Sequence, residues 1–164
     1  MILDGLLQFT GTAGSVSVDS PTTGTQQSTN VLDLVNARDM GIGDDPALKL
    51  LIQIVTAFAS GTSLQVQLQG APDNGSGAPG TYTTMWDSGA LAEADLTAGR
   101  YIMAGDMPRT LLPTGLNPGK QALPRFLRLQ YVTVGTHTAG GIYGTIVLDR
   151  QDQVSYPAGI TIPN

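Results

Sequence analysis

Leu64, Val66 and Leu68 alternate with Gln65, Gln67 and Gln69, and Leu127, Leu129 and Tyr131 alternate with Arg128, Gln130 and Val132. A period of two sends successive side chains to opposite faces of an extended chain, so each run reads as a half-buried β-strand. Glutamine fills the wet face of the first run, where an enzyme would place a base or a metal ligand. The pattern marks a scaffold or surface before it marks a catalyst.

The remaining segments follow the same logic. Residues 46–59 carry Ala47, Leu50, Leu51, Ile54, Val55 and Phe58 at helical spacing behind Asp45-Pro46, yet Leu48, Leu50, Ile52 and Ile54 also share one face at period two. β-Branched Ile52, Ile54, Val55 and Thr56 crowd the centre, which favours a strand. Further strands are expected near Val31–Leu34, at 82–86, at 100–107 and at 142–148, the last forming an antiparallel hairpin with 126–134. Residues 91–96 suit a helical turn before Gly99, and Asn74-Gly75 suits a turn in a Gly- and Pro-rich loop. The Gly-, Ser- and Thr-rich tract 10–30 reads as an arm that orders against a neighbour or as a surface loop. With 21 Gly, 10 Pro and only 1 Glu and 2 Lys, little helix is expected.

About eight strands without alternating helices predict an all-β antiparallel two-sheet sandwich of jelly-roll type. One domain over residues 1–164 is expected, with an N-terminal arm over 1–28 and an extended tail over 153–164. Only 13% of residues are charged, about half the usual share, so much of the surface must be Ser, Thr, Gln, Asn and Gly. Such a surface repels neighbours weakly, and a partner in place of solvent is expected to cover part of it.

Composition removes several chemistries. A net charge of -5 and scattered cations, the closest being Arg125 with Arg128, argue against nucleic acid. The absence of cysteine excludes thiol catalysis, disulfides and cysteine-held zinc. The segment 50–72 is uncharged but too polar to span lipid, and the opening nine residues, broken by Asp4, read as structural and not as a secretory leader. His137 is the only histidine and is expected to be a solvent-facing turn residue, so a histidine-held metal is not expected. No Gly-x-Ser-x-Gly elbow supports a hydrolase triad. Asp44, Asp45, Asp87, Asp95, Asp149 and Asp152 read as turn residues and not as paired catalytic carboxylates. The 39–45 run lacks the ligand alternation of a calcium loop. No catalytic residue, cofactor or metal is expected, and Tyr82, Trp86 and Tyr101 read as core more readily than as a sugar platform.

Several stretches, in order along the chain, resemble one known family. They are Met1-Ile-Leu-Asp-Gly-Leu-Leu-Gln-Phe, Thr29-Asn-Val-Leu-Asp-Leu, Ala37-Arg-Asp-Met-Gly-Ile-Gly-Asp-Asp, the 50–58 run ending Thr-Ala-Phe, Leu64 to Gln69, Leu96-Thr-Ala-Gly-Arg and Arg125-Phe-Leu-Arg-Leu-Gln-Tyr. The chain resembles the capsid cement, or decoration, proteins of tailed double-stranded DNA bacteriophages, typified by a Bordetella phage. The resemblance implies a jelly-roll protein, made in the host cytoplasm, that sits on the outer surface of the capsid. Its implied partners are the major capsid protein and itself, as a dimer or trimer, with no nucleic acid and no membrane. Loops 11–27, 74–80 and 110–121 look longer than the family pattern leads one to expect. Ile2, Leu3, Leu6, Leu7 and Phe9 at one end, with Tyr156, Ile160 and Ile162 at the other, are the expected capsid or self-association contacts; the alternative is that both ends fold back on their own domain. A second reading is a carbohydrate-binding or adhesin-like module using Tyr82, Trp86 and the outer loops.

Overall fold

The computed structural model describes residues 5–12, 18–37, 48–108 and 123–147. Among the described residues seven strands form one open antiparallel sheet: β1 (Gly24–Gln27), β2 (Leu32–Asp33), β3 (Lys49–Ala71), β4 (Thr83–Asp87), β5 (Leu91–Ala92), β6 (Tyr101–Asp106) and β7 (Phe126–Val147). Among the described residues there is no α-helix, only single 3-10 turns at Gly5–Leu7 and Glu93–Asp95. The expected strands at 31–34, 46–59, 82–86 and 100–107 and the turn before Gly99 are present within a few residues.

The sheet is a two-strand ribbon with short strands along its margins. β3 pairs with β7 over its whole length, from Lys49↔Val147 to Ala71↔Phe126. β6, β5 and β4 line the free side of β3, and β1 and β2 line that of β7. The hairpin expected between 126–134 and 142–148 does not form, because both runs belong to β7 and each pairs with β3. The glycines between them bend the strand without reversing it.

A straight strand of 23 residues would be roughly 75 Å long at about 3.3 Å per residue, while a compact chain of this length has a radius of gyration of only about 15 Å. The ribbon must therefore bend. Its register irregularities all fall between Ile54 and Ser63, and the same stretch holds Ser60 at φ +69° next to Gly61, whose partner Gly135 has φ +78°. Bulges add residues on one strand and increase its curvature.

Bending brings the two halves of the ribbon onto one core. Leu50, Ile52, Ile54, Leu64, Val66 and Leu68 of β3 join Leu127, Leu129, Tyr131, Ile142 and Ile146 of β7 in a single buried cluster with Phe9, Phe58 and Leu96. The halves touch at Gly144, where an added Cβ would lie 2.6 Å from Leu129 Cδ1, although Leu129 pairs with Leu68 at the far end of the ribbon.

His137 lies at the bend and is 2% exposed, which corrects its expected position in a solvent-facing turn. Its ring stands edge-on to Phe58, with centroids 5.0 Å apart, and covers the backbone of Gly61. Its Nε2 lies 3.3 Å from the carbonyl of Ser63, and Nδ1 is buried with no hydrogen-bond partner among the described residues. Gly61 is required by contact, since a Cβ there would sit 2.0 Å from the imidazole. Gly61→Ala is expected to cost about 2 kcal/mol or more through overpacking, read as a lower midpoint in urea with an unchanged slope.

Candidate functional site

The outward face of the ribbon's Ala71–Phe126 half is a connected layer of amides. In register across the sheet stand Gln27 of β1, Gln130 of β7, Gln67 of β3 and Asp87 of β4. Gln65 and Gln67 donate to Asp87 Oδ2 at 2.6 and 3.0 Å. Gln67 Oε1 accepts from Gln69, Thr84 and Gln130 at 3.3, 3.3 and 3.5 Å.

Arg128 is the hub of this layer. Its guanidinium donates to Gln69 at 2.9 Å, Gln130 at 3.2 Å and Gln27 at 2.5 Å, tying β3, β7 and β1 together. Its plane carbon lies 3.7 Å from the centroid of the Tyr82 ring, which adds a cation–π contact and covers that face of the ring. Burial raises the Tyr82 hydroxyl pKa, with the Arg128 charge opposing. A shallow depression beside the hub is lined by Thr25, Gln26, Gln27, Arg128 and Gln130.

The N-terminal segment is fastened to the same chain. Phe9 N–H donates to the Gly144 carbonyl at 2.9 Å, Thr145 Oγ1 to the Leu7 carbonyl at 3.1 Å, and Asn30 Nδ2 to the carbonyls of Gln8 and Gly11. Phe9 is fully buried in the core. Leu7 is half-buried against the core, whereas Leu6 is 81% exposed. Ile2, Leu3, Tyr156, Ile160 and Ile162 lie outside the described residues, as does the 39–45 run with Asp44 and Asp45, and Asp149 and Asp152. Trp86 is half-buried against the core.

Two acidic clusters were invisible to sequence reasoning because their partners are remote in the chain. Asp19, only 8% exposed, accepts from Gly11 N–H (3.2 Å), Thr29 Oγ1 (2.6 Å), Thr29 N–H (3.1 Å) and Tyr131 O–H (2.9 Å). Four donors fill both carboxylate oxygens, and its backbone exchanges two bonds with Ile142. Burial first, and the Asp19 charge second, hold the Tyr131 hydroxyl well above its ordinary pKa, so at neutral pH it stays a donor.

Arg125 forms the other cluster. It clamps Asp33 with two bonds, 2.8 and 2.9 Å, and also pairs with Asp73. The Arg125 hydrogen bond lowers the Asp33 pKa, and backbone donors at Gly75 and Gly77, followed by Arg125, lower that of Asp73. Of the other aspartates expected in turns, Asp87 Oδ1 accepts from Gly89 N–H at 2.6 Å, a local turn bond, while Asp95 forms an ion pair with Arg100 at 3.3 Å. Among the described residues no group of three or more His, Asp or Glu is placed to hold a metal ion. What the layer and clamps do chemically is fix a rigid polar surface.

The Bbp16 family model matches residues 16–146, which take in the described sheet to within the last residue of β7. The chain belongs to the Bbp16 family. The name points to a protein of a Bordetella phage, in agreement with the phage resemblance of its sequence. No curated protein matches the chain.

Asp19→Asn turns an amide N–H toward donors and leaves at least one buried group unpaired. A loss of about 2–4 kcal/mol is expected, a fall in Tm of roughly 5–15 °C. The Arg125 clamp gives a pH signature. Both aspartates titrate below the ordinary value of 3.8 when folded, so their contribution is full above that pH and is lost as pH falls through the folded value. Arg125→Gln is expected to lower Tm at pH 7, with the gap from wild type closing below pH 3.8 in a thermal melt series.

Proposed function

We propose that this Bbp16-family chain is a structural virion protein, a cement that binds the outer capsid surface and bridges neighbouring major capsid proteins, and is not an enzyme. The observation that carries the reading is the family match over residues 16–146, joined to the sequence resemblance to phage cement proteins. We read the bent ribbon, whose halves close on one core, as a jelly-roll-type sandwich built from a continuous sheet. Supporting it, the surface is rigid where it is polar: the amide layer has already lost its side-chain freedom, so burying it against a neighbour costs little further entropy.

The mechanism is thermodynamic. A protein that binds the assembled shell and not free capsomers stabilises the shell by mass action, and symmetric repetition multiplies a modest interface. Leu6, exposed beside a fastened segment, is the described contact residue best placed for this role. The carbohydrate-binding alternative has less support, because Arg128 covers one face of Tyr82 and Trp86 packs against the core.

Deletion of residues 1–6, together with Leu6→Asp, tests the reading. Both spare Phe9 and are expected to leave the melting of the free protein within a few degrees of wild type. Occupancy on purified capsids should fall at least tenfold in a binding titration, about 1.4 kcal/mol. Full occupancy with unchanged capsid melting removes the N-terminal contact, and no capsid binding by the wild-type protein removes the cement role.

A further inference from the structure

The loop that leaves β3 for β4 carries Asn74-Gly75 at its tip, with residues 74–77 exposed. Its stem is ordered by the Asp73↔Pro79 bridge, by Asn74 N–H to the Ala78 carbonyl at 2.9 Å and by Gly80 N–H to the Pro72 carbonyl at 2.8 Å. Inside this frame, Gly75 N–H donates to Asp73 Oδ1 at 2.6 Å. Ser76 donates twice to Asn74 Oδ1, from its N–H at 2.9 Å and its hydroxyl at 2.7 Å.

These contacts match the needs of one reaction. When the backbone nitrogen of Gly75 attacks the side-chain carbonyl carbon of Asn74, the nitrogen must lose its proton and the oxygen must take on negative charge. Asp73 already accepts from that nitrogen, and the two Ser76 donors already lie on that oxygen. At pH 8 Asp73 is ionised like any exposed carboxylate and so is an acceptor; backbone donors at Gly75 and Gly77, followed by Arg125, lower its pKa further. Gly75 brings no side chain of its own to crowd the imide ring, and among the described residues nothing lies within 4 Å of where a Cβ would stand.

We propose that Asn74 is a self-modification site, at which the folded loop drives deamidation to aspartate and isoaspartate with water as the co-reactant. The bond from Gly75 N to Asn74 Cγ forms, the Cγ–Nδ2 bond breaks, and Nδ2 leaves as ammonia with the proton that Asp73 accepted. Water then opens the five-membered imide at either carbonyl. No electrons are transferred, and the product adds one negative charge to a chain of net charge -5, at an exposed tip. The site is independent of the N-terminal contact and of the cement role.

The test follows the full-length protein at pH 8, folded and in urea, by peptide mapping that separates aspartate from isoaspartate. Asn74 is expected to convert ahead of Asn30, Asn36, Asn117 and Asn164, and faster in the folded protein than in urea. Ser76→Ala, checked by its melt to be folded, is expected to slow the folded rate about fivefold, the rate equivalent of one ordinary hydrogen bond, and to leave the rate in urea unchanged. Slower conversion in the folded protein than in urea overturns the proposal, and so does a Ser76→Ala rate equal to wild type in the fold.

Discussion

The pairing of β3 with β7 is the constraint on which every other feature depends. One ladder runs from Lys49↔Val147 to Ala71↔Phe126, and each short strand takes its register from one of these two. β1, β2 and β4 have two to five residues each, too few to hold a position alone. The ladder works only because it bends: straight, it would leave Leu50, Ile52 and Ile54 at one end and Leu64, Val66 and Leu68 at the other, with no common core. The bend makes one core from two halves, and the close contact of Leu129 with Gly144 is where they meet.

The bend explains which parts of the sequence were legible. Alternation identified the strand at 64–69 and favoured a strand over a helix at 46–59, because a solvated outer face and a buried inner face leave a period of two in the residues themselves. The 55–63 and 135–141 stretches lack that signal. Their Gly, Ser and Thr residues look like turns that separate strands, and whether such a stretch reverses the chain or bends it is decided by the partner strand some 80 residues away. The same ignorance misplaced His137, since a lone polar residue among glycines reads as exposed unless the Phe58 edge and the Gly61 backbone are known to face it.

The polar clusters show a second kind of limit. Arg128 and the glutamines were visible as a wet face, but sequence could not distinguish open amides from amides joined through Arg128, Thr84 and Asp87 into a network across four strands. Asp19 left no trace, because it sits in a Ser- and Thr-rich tract and its role depends on Tyr131, more than a hundred residues on. Gln65, Gln67 and Gln69 belong to a network that already satisfies much of their bonding capacity within the chain. A surface of this kind gains little from water and loses little when water is replaced.

That property bears on why such a chain has so few charges. A rigid amide layer held by Arg128 needs one cation to organise three glutamines on three strands, and Asp87 closes the far side with two more. More charges would raise the desolvation cost of covering the face, and fewer polar groups would expose an apolar sheet prone to uncontrolled edge pairing. Glutamine sits between these limits: its amide is uncharged and bonds laterally along the sheet, and the charged groups of the layer, Arg128 and Asp87, are already bonded to glutamines. For a protein whose proposed work is to lie against a shell in many identical copies, a small cost per contact repeated over the lattice counts for more than any single strong bond.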